Sequence, residues 1–256
     1  MTSVDLFHTA EGSGDPVVFL GSLGSTHRMW DPQVPALAID HEVIRLDLRG
    51  HGSSPVTPGP GRMADLAADV VAVLDARGLD RAHVVGLSLG GMVGLHLAVD
   101  HPDRVRSLVV LCTSARLGPR DAWIDRAALV RAHGTTAVAS SVVGRWLTPA
   151  YADAHPDETD AFVRMVAGTP AEGYASACEA IADHDLVSEL PRVKAPTLAI
   201  AGRDDPAIPI DHLRAIATAV PDGDYLEVAP AAHLASWERS TEVNAALRTH
   251  LDKHKE

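Results

Sequence analysis

Apolar positions along the chain follow two patterns. Short, nearly uninterrupted runs occur at Pro16-Val-Val-Phe-Leu20, Glu42-Val-Ile-Arg-Leu46, Ala82-His-Val-Val-Gly-Leu87, Ser107-Leu-Val-Val-Leu111, Ala195-Pro-Thr-Leu-Ala-Ile-Ala201 and Tyr225-Leu-Glu-Val228, as expected of buried strands. Between them apolar residues recur at helical spacing: Leu66, Val70, Val73 and Leu74 closed by Gly78, then Leu89 toward Val99 ended by His101-Pro102, then Leu213–Val220, and a last helix from about Thr241 to Leu251. Strands that lack alternation and take turns with helices predict a mostly parallel sheet covered by helices on both faces. The alternation stops between Gly118 and Leu190. There the pattern predicts only helical segments, Pro119–His133, Thr135–Trp146, Pro156–Val166 and Pro170–Asp183. The economical reading is one α/β core, residues 1–117 and 191–256, with a helical cap insertion at 118–190. Such an insertion is expected over the carboxyl ends of the strands, where open α/β sheets bind ligands.

Composition narrows the function classes. The 256 residues carry 22 Lys+Arg against 34 Asp+Glu, a formal charge of −12, and 46% are hydrophobic. That apolar fraction excludes disorder, and no run approaches the roughly 18 apolar residues of a membrane span. The start, Met-Thr-Ser-Val-Asp-Leu, has no basic region ahead of an apolar run, so a cytoplasmic location is the expectation. The acidic balance argues against nucleic acid, which needs a basic stripe. Cys112 and Cys178 read as buried thiols, having no disulfide framework or metal spacing. Asp183-His-Asp185 reads as a solvated helix end rather than a metal site, and no metal or organic cofactor is expected.

Gly86-Leu-Ser-Leu-Gly90 matches G-x-S-x-G between an expected strand and an expected helix. A serine on so sharp a turn needs small neighbours for close packing, and it points its hydroxyl beside free N–H groups able to stabilise an oxyanion. Serine is a weak nucleophile without a base, and the base needs an orienting acid. In chain order Ser, then acid, then His, the strand ends after the insertion offer Gly202-Arg-Asp-Asp-Pro206 and Ala229-Pro-Ala-Ala-His-Leu234. Asp205 or Asp204 and His233 therefore fall at the sheet edge that presents Ser88.

These residues resemble the α/β-hydrolase superfamily over essentially the full length and, within it, the 3-oxoadipate enol-lactonases. The resemblance rests on Ser22-Leu-Gly-Ser25, Met29-Trp-Asp-Pro-Gln33, Asp47-Leu-Arg-Gly-His-Gly-Ser53, Gly86-Leu-Ser-Leu-Gly-Gly-Met-Val93 and Leu111-Cys-Thr-Ser-Ala115. In the insertion it rests on Arg145-Trp-Leu-Thr-Pro149 and Pro170-Ala-Glu-Gly-Tyr-Ala175. It implies a triad of Ser88, His233 and Asp205, with Asp205 preferred over Asp204 because Gly202 stands three residues before it. It also implies oxyanion donors at the Leu23 and Leu89 amides. Relatives commonly carry His or Asn where this chain has Gly21, which removes a side chain that could steady the oxyanion loop.

The implied reaction is hydrolysis of a small lactone or ester, 3-oxoadipate enol-lactone foremost, through an acyl-enzyme. A general carboxylesterase, a carbon–carbon bond hydrolase and a cofactor-free perhydrolase share the same triad. Outside enzymes, a ligand receptor or an assembly component with a vestigial triad shares the architecture. An anionic substrate would find the net charge unfavourable, so a local arginine must attract it. Of Arg126, Arg131, Arg145 and Arg164, the first and third are placed nearest the pocket. Trp123, Trp146, Phe162 and Tyr174 are expected as cap core or pocket wall, with Trp30 meeting them from below.

Overall fold

The apolar runs form six strands of a seven-stranded sheet in a computed structural model that describes residues 3–255. The strands are β1 (His8–Gly12), β2 (Asp15–Leu20), β3 (His41–Leu46), β4 (Ala82–Leu87), β5 (Val105–Leu111), β6 (Thr197–Gly202) and β7 (Gly223–Val228). Their order across the sheet is β1-β3-β2-β4-β5-β6-β7, parallel except for β1, which pairs antiparallel with β3. β4, every residue of which is buried, lies between β2 and β5. On this strand His83 is fully buried with Nδ1 2.7 Å from Ser107 Oγ on β5. β1 was not expected from the sequence: His-Thr-Ala-Glu-Gly has no apolar run, and as an edge strand it needs none.

The helices are α1 (Val34–Leu37), α2 (Met63–Ala76), α3 (Leu89–Asp100), α4 (Arg120–His133), α5 (Thr136–Val143), α6 (Pro149–Ala154), α7 (Pro156–Ala167), α8 (Ala171–Ala182), α9 (Ile210–Ala219), α10 (Ala235–Glu238) and α11 (Ser240–Lys253). After α2, Gly78 takes φ +67 and Leu79 N–H reaches back to the Leu74 carbonyl, the left-handed stop the sequence suggested. The segment expected to be helical over 135–146 ends at Val143, because the chain turns at Gly144 to bring Arg145 and Trp146 over the sheet. Among the described residues no helix is long and apolar enough to cross a membrane.

Helices α4 to α8 all lie between β5 and β6 and rest on the loops at the carboxyl ends of the strands. Where α8 meets the loop after β3, backbone touches backbone. A Cβ on Gly50 would fall 2.4 Å from Gly173 Cα, and one on Gly173 would fall 2.1 Å from the Gly50 carbonyl oxygen. Beside this contact the buried Arg49 holds Asp69 through two nitrogens, at 2.7 and 2.5 Å. At the other junction His184 turns inward instead of ending a solvated helix. Its Nε2 meets the Ser114 carbonyl at 3.0 Å and its Nδ1 meets His96 at 3.3 Å, while Asp183 stays exposed and pairs with Arg120. Burial pushes the His184 pKa down to about 4.

Candidate active site

The turn between β4 and α3 forces Ser88 to φ 55 and ψ −113, a left-handed backbone that L-residues adopt only under constraint. The constraint is visible around it. Ser88 N–H donates to the Leu111 carbonyl at 2.9 Å, and Thr113 Oγ1 donates to the Ser88 carbonyl at 2.6 Å. The flanking glycines are demanded by close approach: a Cβ on Gly86 would lie 2.2 Å from the Gly90 carbonyl oxygen, and one on Gly90 would lie 2.1 Å from that of Leu20.

His233 follows β7 and is buried. Its Nδ1 lies 2.7 Å from Asp205 Oδ2, and the other carboxylate oxygen accepts the amides of Ala207 at 2.7 Å and Ile208 at 3.1 Å. A carboxylate so held fixes the imidazole with its proton on Nδ1, which leaves Nε2 free to accept. Asp204 points to solvent, so the pair open in the sequence resolves geometrically to Asp205. The glycine at 202 also acquires a reason: a Cβ there would stand 2.1 Å from the Ala232 carbonyl oxygen, so only glycine lets the end of β6 pass the His233 loop. Cys112 stands close enough to Asp205 and His233 for the three to converge on one ion. The set suits a metal poorly, since burial holds the thiol protonated and the other two groups bond each other.

Ser88 and His233 open into one cavity of about 290 Å³, whose floor includes Ser22 and Leu23 and whose roof includes Trp123, Arg126, Arg145, Trp146 and Tyr174. Among the described residues the Leu23 and Leu89 amides donate to no other group. The loss of a side chain at Gly21 is compensated in a way the sequence did not reveal. A Cβ there would fall 2.5 Å from Ser25 Oγ, and this hydroxyl donates to the Ser22 carbonyl at 2.7 Å while Met29 Sδ accepts the Ser22 amide at 3.2 Å. Ser25 and Met29 thus brace the loop from inside.

Two guanidiniums face the cavity. Arg126 lies over the Trp123 ring, 4.6 Å from its centroid, and among the described residues neither Arg126 nor Arg145 forms an ion pair. Burial, and then repulsion by Arg126, lower the pKa of Arg145. Tyr174 is fully buried with no hydrogen bond to its hydroxyl among the described residues, and burial pushes its pKa up to about 12. Arg131 is engaged elsewhere, clamping Glu172 and Glu179, and Arg164 is exposed. Phe162 packs into the cap core against Trp146 and Trp237. Trp30 is a correction: it does not line the cavity but is fully buried in the core with its ring 5.0 Å from Phe19, because the turn through His27–Gln33 folds it inward. Leu117, Val142, Pro206 and Ile208, apolar residues without a distinguishing pattern, complete the wall.

Comparison with known proteins identifies the fold family. The family model for the α/β-hydrolase fold matches residues 15–240. The chain is 36% identical to 3-oxoadipate enol-lactonase 2 of Acinetobacter baylyi over 90% of its own length and 86% of the relative. It is 32% identical to RutD of Azorhizobium caulinodans, provisionally named a carbamate hydrolase, over 90% and 88%. Among solved structures, the enol-lactonase of Burkholderia xenovorans superposes with a TM-score of 0.94 at 35% identity, covering 96% of each chain.

Proposed function

The chain belongs to the α/β-hydrolase family, and we propose that it is a serine hydrolase that opens a small lactone or ester bearing a carboxylate, with 3-oxoadipate enol-lactone as the substrate of choice. The observation that carries this reading is one cavity lined by Ser88, the Asp205-bound His233 and two guanidiniums without an ion pair, Arg126 and Arg145. Ser88 attacks the carbonyl as His233 Nε2 takes its proton, and Asp205 keeps the imidazole in the required tautomer. The Leu23 and Leu89 amides receive the oxyanion, each such donor being worth about 3 kcal/mol to the transition state. Opening an enol-lactone expels an enol that tautomerises to the ketone, which draws the step forward. Water activated by His233 then frees the acid.

The arginines account for recognition against the net charge of −12. A carboxylate entering between Arg126 and Arg145 relieves their mutual repulsion and can take the Tyr174 hydroxyl as a further donor. The test is kcat/KM for the enol-lactone against an uncharged ester of similar size, in wild type and Arg145→Met. A preference above tenfold that collapses in the variant is expected. Less than tenfold, about 1.4 kcal/mol, rejects carboxylate recognition. If a chromogenic ester is turned over equally by wild type and Ser88→Ala, the serine assignment fails. The relationship to RutD favours one second reading, a carbamate substrate. Faster turnover of a small carbamate than of the lactone would establish it.

A further inference from the structure

The amides that flank His233 are tied to the cap, that of Leu234 directly and that of Ala232 through Glu238. Leu234 N–H donates to the Trp146 carbonyl at 2.7 Å, and Ala232 N–H donates to Glu238 Oε1 at 3.2 Å. Glu238, which ends α10, is half-buried, and its carboxyl also receives the Thr148 amide at 2.9 Å on Oε1 and the Thr148 hydroxyl at 2.8 Å on Oε2. Its neighbour Trp237 reinforces the junction by donating to Glu158 at 2.6 Å and packing edge-on to Phe162. One side chain thus joins the loop of His233 to residues 145–148, the segment that puts Arg145 and Trp146 into the cavity roof. Burial raises the Glu238 pKa, and the two backbone donors and one hydroxyl are what the carboxyl has in place of water.

We propose that Glu238 is a positioning residue that sets the His233 imidazole by clamping its loop to the cap segment carrying Arg145. The inference rests on the reading of His233 as the base. It assigns to Glu238 no contact with substrate. The clamp makes the loop of the base and the segment carrying Arg145 parts of one unit, so a displacement of either is transmitted through three hydrogen bonds on a single carboxyl.

The test compares Glu238→Ala with Glu238→Gln. Glutamine can accept both amides on its oxygen and donate its NH2 to Thr148 Oγ1, whereas alanine removes all three bonds. On p-nitrophenyl acetate, which does not use the arginines, alanine is expected to lower kcat about tenfold to a hundredfold with KM within about threefold, and glutamine to return kcat to within about threefold of wild type. The low-field proton NMR signal of His233 Nδ1–H, identified by its loss in Asp205→Asn, should broaden in the alanine variant and persist in the glutamine variant. An alanine variant with wild-type kcat and an unchanged signal overturns the proposal, as does a glutamine variant as impaired as alanine. Should the alanine variant fail to fold, Thr148→Val removes the hydroxyl bond to Glu238, together with the cap that this hydroxyl gives the Tyr151 amide at the start of α6, and is expected to cost a few-fold in kcat; no loss there overturns the clamp. If wild type turns over no ester, the hydrolase reading falls and the NMR signal alone decides on Glu238.

Discussion

Acid should unfold this protein in part through a residue remote from the chemistry. His83 lies within β4, fully buried, bonded to Ser107 and edge-on to His41 at a centroid distance of 6.4 Å. Burial first, and then the charge of Arg106, push its pKa from 6.5 to about 3, with Asp15 opposing. The folded state therefore keeps the ring neutral over a range in which the unfolded chain binds a proton. The unfolded state then binds more protons, so stability is full above about pH 6.5 and falls as pH drops toward 3. The slope for one proton is about 1.4 kcal/mol per pH unit, so acidification from about pH 7 to 4.5 removes about 2–3 kcal/mol, a sizeable part of the roughly 5–15 kcal/mol of a typical domain. His83→Asn keeps an N–H near Ser107 and cannot ionise. Its urea-unfolding free energy is expected to lie below wild type at pH 7, with the gap narrowing by about 2–3 kcal/mol by pH 4.5. Parallel pH profiles for the two proteins would refute the reasoning. Activity measured below about pH 5.5 would then report folding as well as catalysis.

Other perturbations give equally definite outcomes. Gly90→Ala forces a Cβ to 2.1 Å from the Leu20 carbonyl, so a loss of about 3 kcal/mol or more in thermal unfolding is expected, and a loss within about 0.5 kcal/mol would reject the packing argument. Arg49→Met leaves Asp69 charged and buried, which should cost about 3–5 kcal/mol by chemical denaturation; adding Asp69→Leu should recover most of it. Asp205→Asn preserves shape but favours the wrong imidazole tautomer, so kcat should fall about 10⁴-fold with little change in KM, and a fall below about tenfold contradicts the role given to it.

The central strands were legible because burial on both faces leaves an uninterrupted apolar run, and the Ser88 turn because its glycines are needed by backbone contacts of about 2 Å. His233 and Asp205 could be placed by their order after late strands. β1 was illegible because its only demand is backbone pairing at an edge. Trp30 was misplaced because an aromatic next to a loop motif carries no sign of which way it turns; here Phe19 received it. The brace from Ser25 and Met29 and the clamp at Glu238 were invisible for a related reason, since a serine, a methionine and a glutamate acquire meaning only from neighbours distant in the chain or turned back on it.

The contact between Gly50 and Gly173 bears on how caps can be exchanged. Two glycines, one on the core loop and one on α8, meet with no side chain between them, so neither can be replaced without separating the two layers. A chimera that joins this core to the cap of a relative must therefore bring a glycine at the register of Gly173. Without it, the transplanted roof would sit higher above Ser88, and the graft would change the depth of the cavity before any lining residue had been altered.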